Sequence, residues 1–216
     1  MTLVNKIKKL LVGTLGLLAL TPSTAYADFY DGCRGPNKAQ IHYTATASED
    51  GLEHSLIGKY FGDNLFAVGA INTDGKDFTG GFAGLGYIFE HFDRVKVLPV
   101  LGYAVSGDGK QGTAVGIAQA TIFLDEDGTF LLDPRYTLAV PAHGHENHTP
   151  QHTLGLTASV GNSRIRVGSD LSYVVGENPV VSGLLRYDLD AEKHSSWVQV
   201  GLSSDGSAQV QFRGNF

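Results

Sequence analysis

Four of the chain's eight histidines, His143, His145, His148 and His152, fall within ten residues, with Glu146 between them. Neutral imidazole is a good ligand for Zn, Cu or Ni, and a short His-rich tract is a compositional sign of metal capture. The spacing is not that of a closed structural zinc site, and the single cysteine, Cys33, lies far off in the chain. Zn or Cu held at this tract is one expected chemistry. The plainer expectation is a polar loop whose imidazoles charge below about pH 6.5. A second chemistry is electrostatic. Lys59, Lys96, Arg135, Arg164, Arg166, Arg186 and Arg213 fall on the polar side of an alternating pattern. On a water-filled wall such cations would concentrate anions. They could instead pair with Asp170, Asp188 and nearby glutamines and brace that wall.

The elements that must position these residues are strands. Ile165, Val167, Leu171, Tyr173 and Val175 share one face of a period-two pattern, and Arg164, Arg166, Asp170 and Ser172 share the other. Val181, Leu185, Tyr187 and Leu189 likewise oppose Ser182, Arg186 and Asp188. Alternation of this kind is the mark of a strand with one apolar and one wet face. Residues 114–124 are apolar on both faces, which suits a packed interior. No sustained helical period follows residue 27. Turn chemistry recurs at residues 48–53, 62–64, 73–77, 90–94, 106–112, 125–128, 141–151, 161–163, 176–178, 190–193 and 204–207, often as Asp-Gly or Gly-Asn. Eleven turns divide residues 39–216 into twelve strands. Residues 54–61 and 65–72 make short strands, so ten is the rival count. The longest connection, 141–151, is expected to face away from the mouth that holds the chain ends.

Composition narrows the setting. Lys6, Lys8 and Lys9 precede an apolar run at residues 10–20, and Ala25-Tyr26-Ala27 is a small-x-small cleavage site. The run is too short for a spanning helix, which needs about 20 residues. Residues 1–27 are therefore expected to be a cleaved signal peptide and 28–38 a lead into a barrel domain at 39–216. The three lysines leave with the leader and no acid does. The mature chain would then carry 13 Lys and Arg against 22 Asp and Glu, a charge of −9. That argues against nucleic-acid binding. Apart from Asp133, Asp170 and Asp188, the acids fall in the segments read as turns, strand ends or lead. A lipid-facing belt demands this, because Arg or Lys facing lipid at mid-depth costs about 2–4 kcal/mol.

The chain ends Ala208-Gln-Val210-Gln-Phe212-Arg-Gly-Asn-Phe216. A terminal strand of alternating polarity that stops on Phe resembles the insertion signal of Gram-negative outer-membrane β-barrels, carried here by Val210, Phe212 and Phe216. The resemblance implies an all-β fold: one transmembrane, antiparallel, up-and-down β-barrel in the outer membrane. It also implies partners, namely outer-membrane lipid, the barrel-assembly machinery and periplasmic chaperones. In size and strand count the chain is similar to the small twelve-stranded, oligosaccharide-specific monomeric porins. Eight strands give an interior filled by side chains and sixteen an open channel, so twelve suits a narrow pore. His194-Ser195-Ser196 resembles the His-x-Ser element of outer-membrane lipid A deacylases over three residues, at the wrong mouth for those enzymes. The resulting expectation is a barrel without catalysis or resident cofactor. It is either a narrow small-solute channel with weak anion preference or a largely structural surface barrel. The alternatives are a surface protein that binds metal through its histidine loop and a secreted β-sandwich.

Overall fold

The computed structural model describes residues 39–215 except 50, 92–93, 126–128, 146–148, 163 and 190–195. The expected signal peptide and lead, Glu146, His148, His194, Ser195 and Phe216 thus lie outside the described residues. The elements are β1 (Ala39–Ser48), β2 (Gly51–Phe61), β3 (Leu65–Thr73), β4 (Phe78–Tyr87), β5 (Phe89–His91), β6 (Val95–Ser106), β7 (Gly112–Phe123), β8 (Phe130–His143), β9 (Gln151–Gly161), β10 (Ile165–Val174), β11 (Val180–Asp188), β12 (Trp197–Ser203) and β13 (Ala208–Asn215). Neighbours pair antiparallel in chain order, and β1 pairs with β13 to close the sheet. β5 continues the line of β4 past Ile88, and both lie against β6. The wall is therefore a closed barrel of twelve strands. A closed sheet has no free edge and no second sheet to pack on, so the sandwich alternative falls.

The expected turns that fall on described residues appear between strands. The ten-strand count does not, because β2 starts at Gly51 and spans 11 residues while β3 spans 9. Both lengths suffice to cross a bilayer at a tilt. β8 runs on to His143, so the β8–β9 turn starts later than residue 141, and it faces away from the mouth where residues 39 and 215 meet, called here the terminal mouth. The opposite end is the loop mouth. Glu53 lies inside β2, close to the loop mouth, and Glu90 inside β5, which adds two acids to the strand set.

Local chemistry explains the sharp turns. Between β3 and β4, Asp74 Oδ1 accepts the backbone N–H groups of Lys76 at 2.9 Å and Asp77 at 2.8 Å. Gly75 between them sits at φ 85°, a conformation that a side chain would strain.

The two faces of the wall have opposite solvents. Outside, a belt of large apolar side chains is exposed, with Leu85 at 66% and Leu101 at 74%. A patch of this extent is foreign to a water-soluble surface, and it is the band that lipid covers in a transmembrane barrel. Val210 and Phe212 of β13 belong to this band. Inside, the alternate residues are buried on one another.

Candidate functional site in the barrel lumen

Inward side chains are brought together by register, since the residues opposite one another on adjacent strands form tilted rows around the lumen. One such row is Asp188, Trp197, Arg213 and His42, contributed in turn by β11, β12, β13 and β1. All four are buried, Trp197 and Arg213 to 0% exposure. Arg186 stands two residues along from Asp188. Its Nε and Nη2 both donate to Asp188 Oδ1, at 2.8 and 2.6 Å. The guanidinium carbons of Arg186 and Arg213 lie 5.1 and 5.6 Å from the Trp197 ring centroid. Cations over an indole face are stabilised by the ring quadrupole, more so when desolvated. His42 meets the same ring edge-on at 6.0 Å, and its Nε2 lies 2.6 Å from Gln40 Oε1. Lys59 of β2 is the register partner of Gln40. Arginine, lysine and histidine thus converge near the terminal mouth.

Arg135 lies deeper. Its Nη1 and Nη2 donate to the two carboxylate oxygens of Asp170, at 3.0 and 3.1 Å, and Thr157 donates to Asp170 Oδ1 at 2.6 Å. Such a forked pair is the strong geometry for arginine and carboxylate. Gly155, opposite Arg135 in the register, leaves the room this requires: a Cβ there would stand 2.3 Å from Arg135 Nε. On the neighbouring strands Thr121 donates to Asp133 at 2.5 Å.

Of the seven expected lining cations, Lys59, Lys96, Arg135, Arg186 and Arg213 are buried inside the wall. Arg166 is half-buried, with Nη1 donating to the Thr129 carbonyl at 3.2 Å. Arg164 differs. It is exposed in the β9–β10 turn, where the Asn162 side chain accepts its backbone N–H at 2.8 Å. Its carbonyl accepts the backbone N–H of Asp188, an inward residue, at 2.8 Å, so pairing reaches Arg164 at the rim. Bracing contacts are thus real for Arg135 and Arg186.

The other half of the lumen holds an apolar cluster among polar side chains. Phe61, Phe66, Ile88, Leu98, Val100, Ala104, Val115 and Ile117 form one buried cluster, with Val68 and Phe82 packed against it and partly open. They come from the consecutive wall strands β2 to β7. Gly86 and Gly102 give the rings their seats. A Cβ on Gly86 would stand 2.2 Å from the Phe66 ring, and one on Gly102 2.4 Å from that of Phe82. In the sequence, the doubly apolar run of β7 is the one local sign of this cluster. That the inward residues of β2 to β6 join it follows from their order around the barrel.

At the loop mouth the rim is acidic. Asp108 is held down to about 2 by the Ser106 hydroxyl and the Lys110 backbone N–H. The backbone N–H groups of Asp77 and Lys76 hold Asp74 below the usual carboxylate range. Groups lowered in this way keep their negative charge as the pH falls into the mildly acidic range.

The histidine tract is dispersed. Tyr103 Oη lies 2.6 Å from His143 Nδ1, Tyr136 Oη 2.7 Å from His152 Nδ1, and Thr113 Oγ1 3.0 Å from His145 Nε2. Tyr43 and His54 repeat the tyrosine–histidine pair at 2.7 Å. Among the described residues no group of three or more His, Cys, Asp or Glu is placed to hold a metal ion. Capture of Zn or Cu by His143 or His152 through Nδ1 would have to displace these tyrosines.

The same architecture occurs in solved outer-membrane porins. The "KdgM porin" matches with a TM-score of 0.63 at 14% identity, over 82% of this chain and 99% of that one. The "KdgM porin in complex with disordered oligogalacturonate" matches at 0.64 and 14%, with the same coverage. The "NanC porin structure in rhombohedral crystal form" matches at 0.60 and 11%, over 82% and 98%. At these identities the likeness is one of fold. No protein-family model matches the sequence, and no curated protein matches it.

Proposed function

We propose that the protein is an outer-membrane β-barrel channel, narrow and selective for small anions. Its apolar belt suits the lipid of that membrane, and its last strand, with Val210 and Phe212 facing lipid, suits recognition by the barrel-assembly machinery after passage among periplasmic chaperones. The observation that carries the anion preference is the charge inside the wall. Among the described buried residues, the cations Lys59, Lys96, Arg135, Arg186 and Arg213 outnumber the acids Asp133, Asp170 and Asp188 by five to three. Two positive charges remain in excess, and in a low-dielectric annulus such an excess raises the local anion concentration. The KdgM structure with oligogalacturonate, an acidic sugar oligomer, is consistent with this class of traffic.

The test is the reversal potential of refolded protein in a planar bilayer under a KCl gradient. Chloride is expected to permeate ahead of potassium. The preference should weaken as salt rises, because the Debye length falls from about 10 Å at 0.1 M to about 3 Å at 1 M. Lys59→Gln combined with Lys96→Gln should reduce the preference. Potassium preference in the wild type, or no conductance from protein shown to be folded, would sink the proposal.

A further inference from the structure

A lumen built only for hydrated solutes is polar around its whole circumference. This one is not. The inward side chains of β8 to β13 and β1 are mostly polar or charged, while those of β2 to β7 mix a buried apolar cluster with polar residues such as Lys59, Asn72, Lys96 and Gln119. Cations stand beside that cluster. Lys59 on β2 is the direct register partner of Val68 on β3. Lys96 on β6 is one inward step from Leu98. Val68 and Phe82 are the members of the cluster that remain partly open, and they present its apolar surface. In register, Val68 is followed by Gly84 on β4 and Gly102 on β6. The Phe82 ring lies over both glycines, which brings it into line with Val68.

From this juxtaposition we infer that the lumen takes small carboxylates with an apolar body. The carboxylate is met by Lys59, and the body lies along Val68 and Phe82. A fully hydroxylated sugar acid would satisfy the cation equally. Against the apolar wall, however, its hydroxyls would lose water without gaining partners, which is unfavourable for each group. An apolar ring at the same place gains from leaving water. The inference rests on the channel reading for its direction of use, but binding can be measured without conduction.

Two ring carboxylates of one charge and similar size separate these effects: cyclohexanecarboxylate and glucuronate. Trp197 is the chain's sole tryptophan and stands in the cation cluster near the terminal mouth, so its fluorescence reports occupancy. In folded protein in phosphatidylcholine vesicles, cyclohexanecarboxylate is expected to bind about tenfold more tightly than glucuronate, the scale set by burying a few methylene groups. It should also permeate ahead of glucuronate in bilayers. Val68→Thr, nearly isosteric, should lower the ratio, and Phe82→Gln should lower it further, with circular dichroism confirming the barrel in both. Lys59→Gln should weaken both ligands and leave their ratio. Equal affinities, or tighter glucuronate, in protein that conducts KCl would overturn the inference while leaving the channel standing. Absent KCl conductance with the tenfold preference intact would do the reverse.

Discussion

Replacing Asp170 with alanine is expected to destabilise the folded barrel by about 3–5 kcal/mol, the scale for removing one partner of a buried ion pair. Asp170 is 1% exposed and takes both prongs of the Arg135 guanidinium together with the Thr157 hydroxyl. Its loss strands a guanidinium in a place where water cannot replace the carboxylate. The partners are also 35 residues apart in sequence, so the pair ties β8 to β10 across β9. Urea unfolding in lipid vesicles, followed by Trp197 fluorescence, measures the effect. The matching control removes both charges. Arg135→Met with Asp170→Leu should recover most of the loss, because no uncompensated ion remains and the volume is kept. A loss for Asp170→Ala below about 1 kcal/mol, typical of exposed pairs, would show that water reaches this part of the lumen.

Leu101→Arg should cost about 2–4 kcal/mol, while Leu124→Arg should cost about 0–1, the depth dependence of a cation placed against lipid. Leu101 sits in the middle of β6 and points outward at 74% exposure. Leu124, also exposed, stands just past the end of β7 at the terminal mouth. A guanidinium at position 124 can reach water or headgroups by bending its stem. At mid-belt it cannot. The same unfolding assay separates the two, and equal costs would mean that the exposed apolar band is not bounded by lipid. In water alone the ranking would vanish, since both sites are open and neither substitution removes a packed side chain.

Much of this architecture is legible in a single sequence because the signals are local. A period of two assigns each residue to one face, so Leu185 and Val181 go outward and Arg186 and Ser182 inward without knowledge of any partner strand. Asp-Gly and Gly-Asn pairs mark turns because they accept strained backbone angles, as Gly75 does. Strand number and the inward placement of Lys59, Lys96, Arg135, Arg186 and Arg213 follow from those two local rules. Arg164 stands exposed at the rim, where Asn162 closes the turn, a local contact that the alternation does not report.

What the sequence could not decide is who meets whom across the lumen. That depends on register and on closure of β1 against β13, which are properties of the whole sheet. Register sets Trp197 between Arg186 and Arg213 and joins Arg135 to Asp170. It also disperses His143, His145 and His152 to three different partners, because a strand extended to His143 carries the tract past the loop into the wall. Closure gathers the inward residues of β2 to β7 on one side of the ring, where scattered alternate apolar positions meet as one cluster. The face of each residue was written in its neighbours along the chain. Its lumenal partners were decided only when the twelve strands came round to meet.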